Sequence, residues 1–249
     1  MKLRSVSFLF AAFLVLVSVS CTQDEGFGGS SSLTGKLVTR YYNNDFTVFQ
    51  GEEPAVDENI FIVFGGDSVV GDRIRSSFNG DFRFEYLWPG NYRLFYETND
   101  STGNSLDDIS IQKSIEIKRN ETLDLGILYN YKALNWNKGT AKIKGKIIEK
   151  NYKKSSVYPN LEISDIFGAQ EKEVYLIYND EDFYCERIRT QGDGTYVFSN
   201  LLIGKYVVFV YSEDVYSNSG VADIVKKATV EITQKGEVIV LDDIITDKF

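Results

Sequence analysis

Few side chains in these 249 residues could act as nucleophiles, bases or metal ligands. There is no histidine, which removes Ser-His and Cys-His pairs, a histidine general base and any His-containing metal site. Two cysteines remain, Cys21 and Cys185. Cys185 lies in the strand-like run Phe183-Tyr184-Cys185-Glu186-Arg187-Ile188-Arg189. With no histidine to activate it, it reads as a small hydrophobe and not as a nucleophile. Carboxylates gather at Asp107-Asp108, Asp180-Glu181-Asp182 and Asp242-Asp243. None has the spacing of a calcium loop, so they read as solvated turns. No pair has a reason to converge on a glycosidic bond. The expectation is a chain with no catalytic residue, no metal and no cofactor.

Recognition chemistry is better represented. Arg73-Ile74-Arg75 recurs as Arg187-Ile188-Arg189. On a strand, both arginines of each triplet share one face and the isoleucine points the other way. Beside Phe and Tyr neighbours, Arg73, Arg75, Arg187 and Arg189 could contact a sugar or an acidic partner. The competing reading is arginines that cover an open sheet face and pair with Glu85 or other acids. Trp88, in Leu87-Trp88-Pro89-Gly90, is a candidate stacking residue at a turn. Trp136 is a candidate wedge between two modules. The formal charge of −9 repels polyanions, so nucleic acid is not an expected partner.

These residues sit on a body with a period of two. Phe82, Phe84 and Tyr86 alternate with Asp81, Arg83 and Glu85, the pattern of a half-buried antiparallel strand. Asn79-Gly80 and Asp193-Gly194 precede such strands, as tight hairpins with positive φ require. Sliding the sequence by 114 residues matches 9 of the 37 positions from 60 to 96. The matches include Arg73, Ile74 and Arg75 on Arg187, Ile188 and Arg189, and Gly80, Phe84, Leu87, Gly90 and Tyr92 on Gly194, Phe198, Leu201, Gly204 and Tyr206. So long a period indicates a duplicated module and not a solenoid. Strands are expected near 33–40, 58–64, 71–77, 81–86, 91–97, 112–118 and 122–128. The fold class is therefore all-β: two tandem seven-stranded antiparallel β-sandwiches. The first spans 33–132, the second 141–249, with 133–140 as linker. One helical turn is expected between Val215 and Lys227.

The pattern Gly-x-Phe/Tyr-x-Phe-x-x-Leu-x-x-Gly-x-Tyr at 80–92 and 194–206 resembles carboxypeptidase regulatory-like domains of the prealbumin (transthyretin-like) group. The resemblance implies a sandwich fold and a non-catalytic companion role. It speaks to fold more than to function.

The N-terminus reads as an address. Lys2 and Arg4 precede an apolar run from Phe8 to Val17, too short for a span that needs about 20 residues. Ser18-Val19-Ser20-Cys21 resembles a bacterial lipobox, although leucine is usual where Ser18 stands. The resemblance implies a signal peptide at 1–20 and lipidation of Cys21. Thr22-Gln23-Asp24-Glu25 resembles the acidic export signal of Bacteroidota-type surface lipoproteins. Residues 21–32, ending in Gly26-Phe27-Gly28-Gly29-Ser30-Ser31-Ser32, read as a flexible tether. Each buried methylene contributes about 0.8 kcal/mol, and two acyl chains hold a protein stably. Loss of Lys2 and Arg4 takes the charge from −9 to −11. The expected location is the outer membrane, lipid-anchored and surface-exposed, with the lipid as membrane contact and a protein or glycan as partner. The expected function is a non-catalytic surface lipoprotein presenting two modules. One alternative is a fimbrial or structural subunit assembled by strand exchange after cleavage at Arg40, taken as the end of the first strand. The other is a glycan-binding accessory protein of a nutrient-uptake system that uses Trp88.

Overall fold

The computed structural model describes residues 24–102, 108–216 and 223–249. Among them all regular structure is strand. The first half holds β1 (Phe27–Asn43), β2 (Phe49–Pro54), β3 (Asn59–Phe64), β4 (Asp72–Arg75), β5 (Asp81–Leu87), β6 (Gly90–Asn99), β7 (Asp108–Ile117) and β8 (Thr122–Leu134). The second holds β9 (Ala141–Tyr152), β10 (Ile163–Gly168), β11 (Glu173–Tyr178), β12 (Glu186–Arg189), β13 (Thr195–Leu201), β14 (Gly204–Glu213), β15 (Asp223–Ile232), β16 (Val238–Val240) and β17 (Ile244–Lys248).

Alternation decides which face each strand buries. In β5, Phe82, Phe84 and Leu87 are buried while Asp81, Arg83 and Glu85 face water. In β14 the buried set is Tyr206, Val208, Val210 and Ser212. Within the first half, β1 carries β2 and β5 antiparallel and β8 parallel, and a second sheet runs β4-β3-β6-β7. These two sheets meet through Leu33, Leu37, Phe84 and Leu128 on one side and Ile60, Ile62, Tyr92 and Leu94 on the other. The second half repeats the plan. There β9 carries β10 and β13 antiparallel and β16 and β17 parallel, opposite β12-β11-β14-β15. Its core gathers Ile143, Ile147, Phe198 and Ile244 against Val174, Leu176, Tyr206 and Val208.

The paired glycines before β5 and β13 are steric requirements. Gly80 (φ 81°) and Gly194 (φ 85°) have positive φ. A Cβ there would fall on the Leu37 or Ile147 carbonyl oxygen. Those same oxygens accept from Ala55 N and Ala169 N, at 3.0 and 2.8 Å.

Five expectations are corrected. The halves have eight and nine strands, not seven each. β2 escaped notice because Phe-Gln-Gly-Glu-Glu-Pro has no apolar alternation and ends in proline, a composition fit for an edge strand. Nor is the pairing purely antiparallel: β8 runs parallel to β1, and β16 and β17 parallel to β9. Alternation fixes which face a strand buries but says nothing about its neighbour's direction. The segment Phe27–Ser32 is not tether but the start of β1, where Ser31 Oγ donates to Lys118 O at 2.7 Å. Gly29 is small because a Cβ would strike the Leu87 carbonyl, not because the chain is loose there. Ala133 and Leu134, read as linker, belong to β8 and pair with Tyr42 and Asn43. Finally, Asp223–Lys227 is strand and not a helical turn; residues 217–222 lie outside the described residues.

Candidate functional site

Each half presents an aromatic pair beside its arginine strand. In the first half Phe61 stacks on Phe95, centroids 4.8 Å apart and planes at 9°. Arg73 is the cross-strand neighbour of Phe61. In the second half Tyr175 stacks on Phe209 at 4.9 Å and 12°, and Arg187 neighbours Tyr175. Ile74 and Ile188 pack against the two cores while all four arginines are exposed. The arginines meet local acids. Arg75 pairs with Asp57, Arg187 with Glu173 at 3.3 Å, and Arg189 with Glu171 and Glu173 at 3.5 and 3.4 Å. Glu85, the partner expected from sequence, is held by Arg83. Exposed pairs of this kind contribute roughly 0–1 kcal/mol, so they order the face more than they stabilise it.

The two faces differ in what surrounds the pair. Around Tyr175 stand Tyr184 at 5.1 Å and Tyr211 at 5.6 Å, both edge-on. Tyr175 also donates to Glu173 Oε2 at 2.7 Å. That bond holds the Glu173 carboxyl below its usual range, with Arg187 and Arg189 adding to it. The face continues into a cleft of about 740 Å³. Its walls include Phe167, Tyr175 and Tyr211, and its polar lining includes Glu149, Lys172, Asp247 and Lys248. Sequence reasoning missed this cleft. Its signal lies where the two copies differ, and the repeat is visible only where they agree.

The remaining candidates fall elsewhere. Trp88 is half-buried and packs on Gly28 at the start of β1. Its carbonyl accepts from Tyr92 Oη at 2.6 Å. It belongs to the β5–β6 turn and not to the arginine-bearing face. Trp136 packs against the second core, and its carbonyl accepts from Leu202 N at 3.1 Å. The halves meet instead through Gln50, which donates from Nε2 to Ile203 O at 2.7 Å and accepts from Ile203 N at 2.8 Å. Cys185 donates to Leu176 O at 3.4 Å, and burial pushes its thiol up to about 12. At neutral pH it is therefore a protonated thiol, poorly suited to nucleophilic work. Among the described residues no group of three or more Cys, Asp or Glu is placed to hold a metal ion. No helix among them is long and apolar enough to cross a membrane. Cys21, the signal segment, Thr22, Gln23 and Asp107 lie outside the described residues.

Arg40, the expected cleavage position, is not at a strand end. It sits inside β1 with Glu52 of β2 on one side and Tyr131 of β8 on the other. Its guanidinium binds Glu52 at 3.0 Å and lies 3.7 Å from the centre of the Tyr129 ring. The expectation failed because β1 runs on to Asn43, past the boundary read from its apolar positions.

No protein-family model matches the chain, and no curated protein matches it. Several solved structures are similar in outline. The Bacillus anthracis TIE protein is 18% identical over 90% of this chain and 34% of its own, with a TM-score of 0.30. A streptococcal ancillary pilin is 12% identical over 86% and 62%, with a TM-score of 0.32. The minor pilin of Streptococcus agalactiae is 10% identical over 87% and 96%, with a TM-score of 0.28. The chain thus spans about a third of the first and under two thirds of the second. Overlays this loose carry no argument about function. The class that the fold defines is an all-β protein of paired sheets.

Proposed function

We propose that this chain is a non-catalytic surface lipoprotein, anchored through Cys21, that holds two β-sandwich modules (27–134 and 141–249) at the outer membrane for binding or assembly with a partner. The observation that carries the reading is the order Lys2 and Arg4, apolar run Phe8 to Val17, Ser18-Val19-Ser20, Cys21. The strand body begins at Phe27, so only a few residues separate the anchor from the first sheet. The modules would then stand close to the membrane, and not on a long leash. The bidentate Gln50–Ile203 contact supports a pair held in fixed relation. The absence of histidine and the protonated Cys185 support a role without covalent chemistry.

The test is fractionation of cells expressing Cys21→Ala. The variant is expected in the soluble fraction while the parent stays with membranes until detergent is added. A Cys21→Ala protein retained as firmly as the parent sinks the anchor.

A further inference from the structure

The cleft of the second half is where the two copies have diverged in chemistry. Equivalent hydrogen bonds align them position by position. Glu58 N donates to Ser76 Oγ as Lys172 N does to Thr190 Oγ1, and Tyr131 N donates to Thr98 Oγ1 as Asp247 N does to Ser212 Oγ. In that frame Glu149 stands where the first copy has Thr39, and Lys172 where it has Glu58. Phe167 replaces Glu53, and Tyr211 replaces Glu97. Asp247 replaces Tyr131. Two aromatic walls and two deep carboxylates have thus been gained at one place, and core positions such as Tyr92 and Tyr206 have not changed.

The cleft is charge-paired and not simply acidic. Asp247 (3% exposed) faces Lys226 at 3.7 Å, and Glu171 and Glu173 face the arginines. Glu149, 7% exposed, has Lys172 at 3.8 Å and Lys248 at 3.9 Å. Those separations exceed a hydrogen bond. Among the described residues no side-chain hydrogen bond engages the Glu149 carboxylate. A carboxylate carries about four acceptor sites and each lysine three donors, so this buried group leaves capacity unused and directed into the cleft. Glu213 and Asp223 also line the cleft, so six acids face Lys172, Lys248, Lys226, Arg187 and Arg189, a near balance that gives an ion little net field to neutralise. Dense donors and acceptors against aromatic walls suit a ligand with hydroxyls on its edges and C–H groups on its faces. The volume of about 740 Å³ lies within the range of roughly 300–1,000 Å³ usual for small-molecule sites.

We propose that this cleft, built by Glu149, Lys172, Lys248 and the rings of Phe167, Tyr175 and Tyr211, binds a short neutral saccharide. The inference deepens the reading of a partner-binding surface protein by naming the class of partner, and it does not depend on the lipid anchor. The experiment is calorimetric titration of the mature chain with maltotriose, cellotriose, xylotriose and mannotriose in turn. At least one binds, with affinity changed less than about twofold between low and high salt, since no net charge is neutralised. Tyr211→Ala, at a half-exposed ring, weakens that binding about tenfold, near the upper value of one aromatic contact, and keeps the parent's circular dichroism. Glu149→Gln also weakens it, and Phe61→Ala on the first copy leaves it unchanged. Silence from all four sugars, equal binding by Tyr211→Ala, or binding of a lysine oligopeptide in their place overturns the proposal. Because Cys21→Ala is scored by fractionation, loss of sugar binding and loss of the anchor are read separately.

Discussion

Three buried tyrosines show how one hydroxyl can act in opposite directions. Tyr92 donates to Trp88 O at 2.6 Å, and Tyr206 donates to Leu202 O at 3.0 Å, each closing the turn four residues upstream. Burial pushes both phenols up, so both remain protonated donors at neutral pH. Tyr196 is equally buried, but its hydroxyl has no hydrogen-bond partner among the described residues, and burial pushes it up to about 12. The first copy carries Phe82 at that place, where a ring suffices. A satisfied hydrogen bond contributes about 1 kcal/mol net, whereas a buried unsatisfied group costs about 1–3 kcal/mol. Tyr206→Phe should therefore lower the urea midpoint by the equivalent of about 1–2 kcal/mol. Tyr196→Phe should raise it by about 1 kcal/mol. Equal shifts of the same sign at both positions would show that packing, not the hydroxyl, decides these sites.

Among elements, β2 joins the halves through Gln50, and it was the least legible. Hairpin glycines can be read from sequence because sterics leave no substitute at Gly80 and Gly194. The alternation of β5 and β14 can be read because one face meets a core. β2 buries Gln50 alone, so no apolar period announces it. The Gly-Ser run before Leu33 misled for a related reason: composition cannot tell a glycine that bends from one that is crowded. The cleft was hidden because its lining comes from β9, β10, β11, β14, β15 and β17, brought together only by the closed fold. Gln50, 2% exposed, offers the backbone of Ile203 both partners a neighbouring strand would. Gln50→Ala leaves Ile203 N–H without that acceptor, while Tyr178 Oη still serves the carbonyl at 3.0 Å. The loss should cost about 1–3 kcal/mol, and the variant's calorimetric transition should be broader than the parent's, or split, as the halves uncouple. An unchanged melting profile would show that Gln50 does not couple them.

For the whole molecule, composition sets the response to pH. Among the described residues four carboxyls are held low: Glu162 by its bond to Lys153, Glu173 by Tyr175 and then the arginines, Asp193 by Thr195, and Glu237 by the Thr233 N–H. A depressed folded value means their contribution is present above the ordinary carboxylate range, near 4, and is lost as pH falls through the folded values. Glu186 works the other way, since burial raises it and acid relieves its cost; it is one against four. At the alkaline end burial raises Cys185 to about 12, and burial likewise brings Tyr41, Tyr96 and Tyr178 to about 12. Their contribution is complete below the unfolded values, about 8.5 for the thiol and about 10 for the phenols, and disappears as pH climbs towards 12. Between these arms a histidine would ordinarily titrate, and this chain has none. Urea midpoints should therefore form a plateau from about pH 5.5 to about 8.5, falling on the acid side and then on the alkaline side. The tyrosinate absorbance of Tyr96 and Tyr178, read as the signal lost in their Phe variants, should appear together with unfolding, not before it. A distinct step in stability near pH 6.5, or ionisation of the buried Tyr96 or Tyr178 near 10 while the sheets persist, would contradict this account of which groups the fold protects.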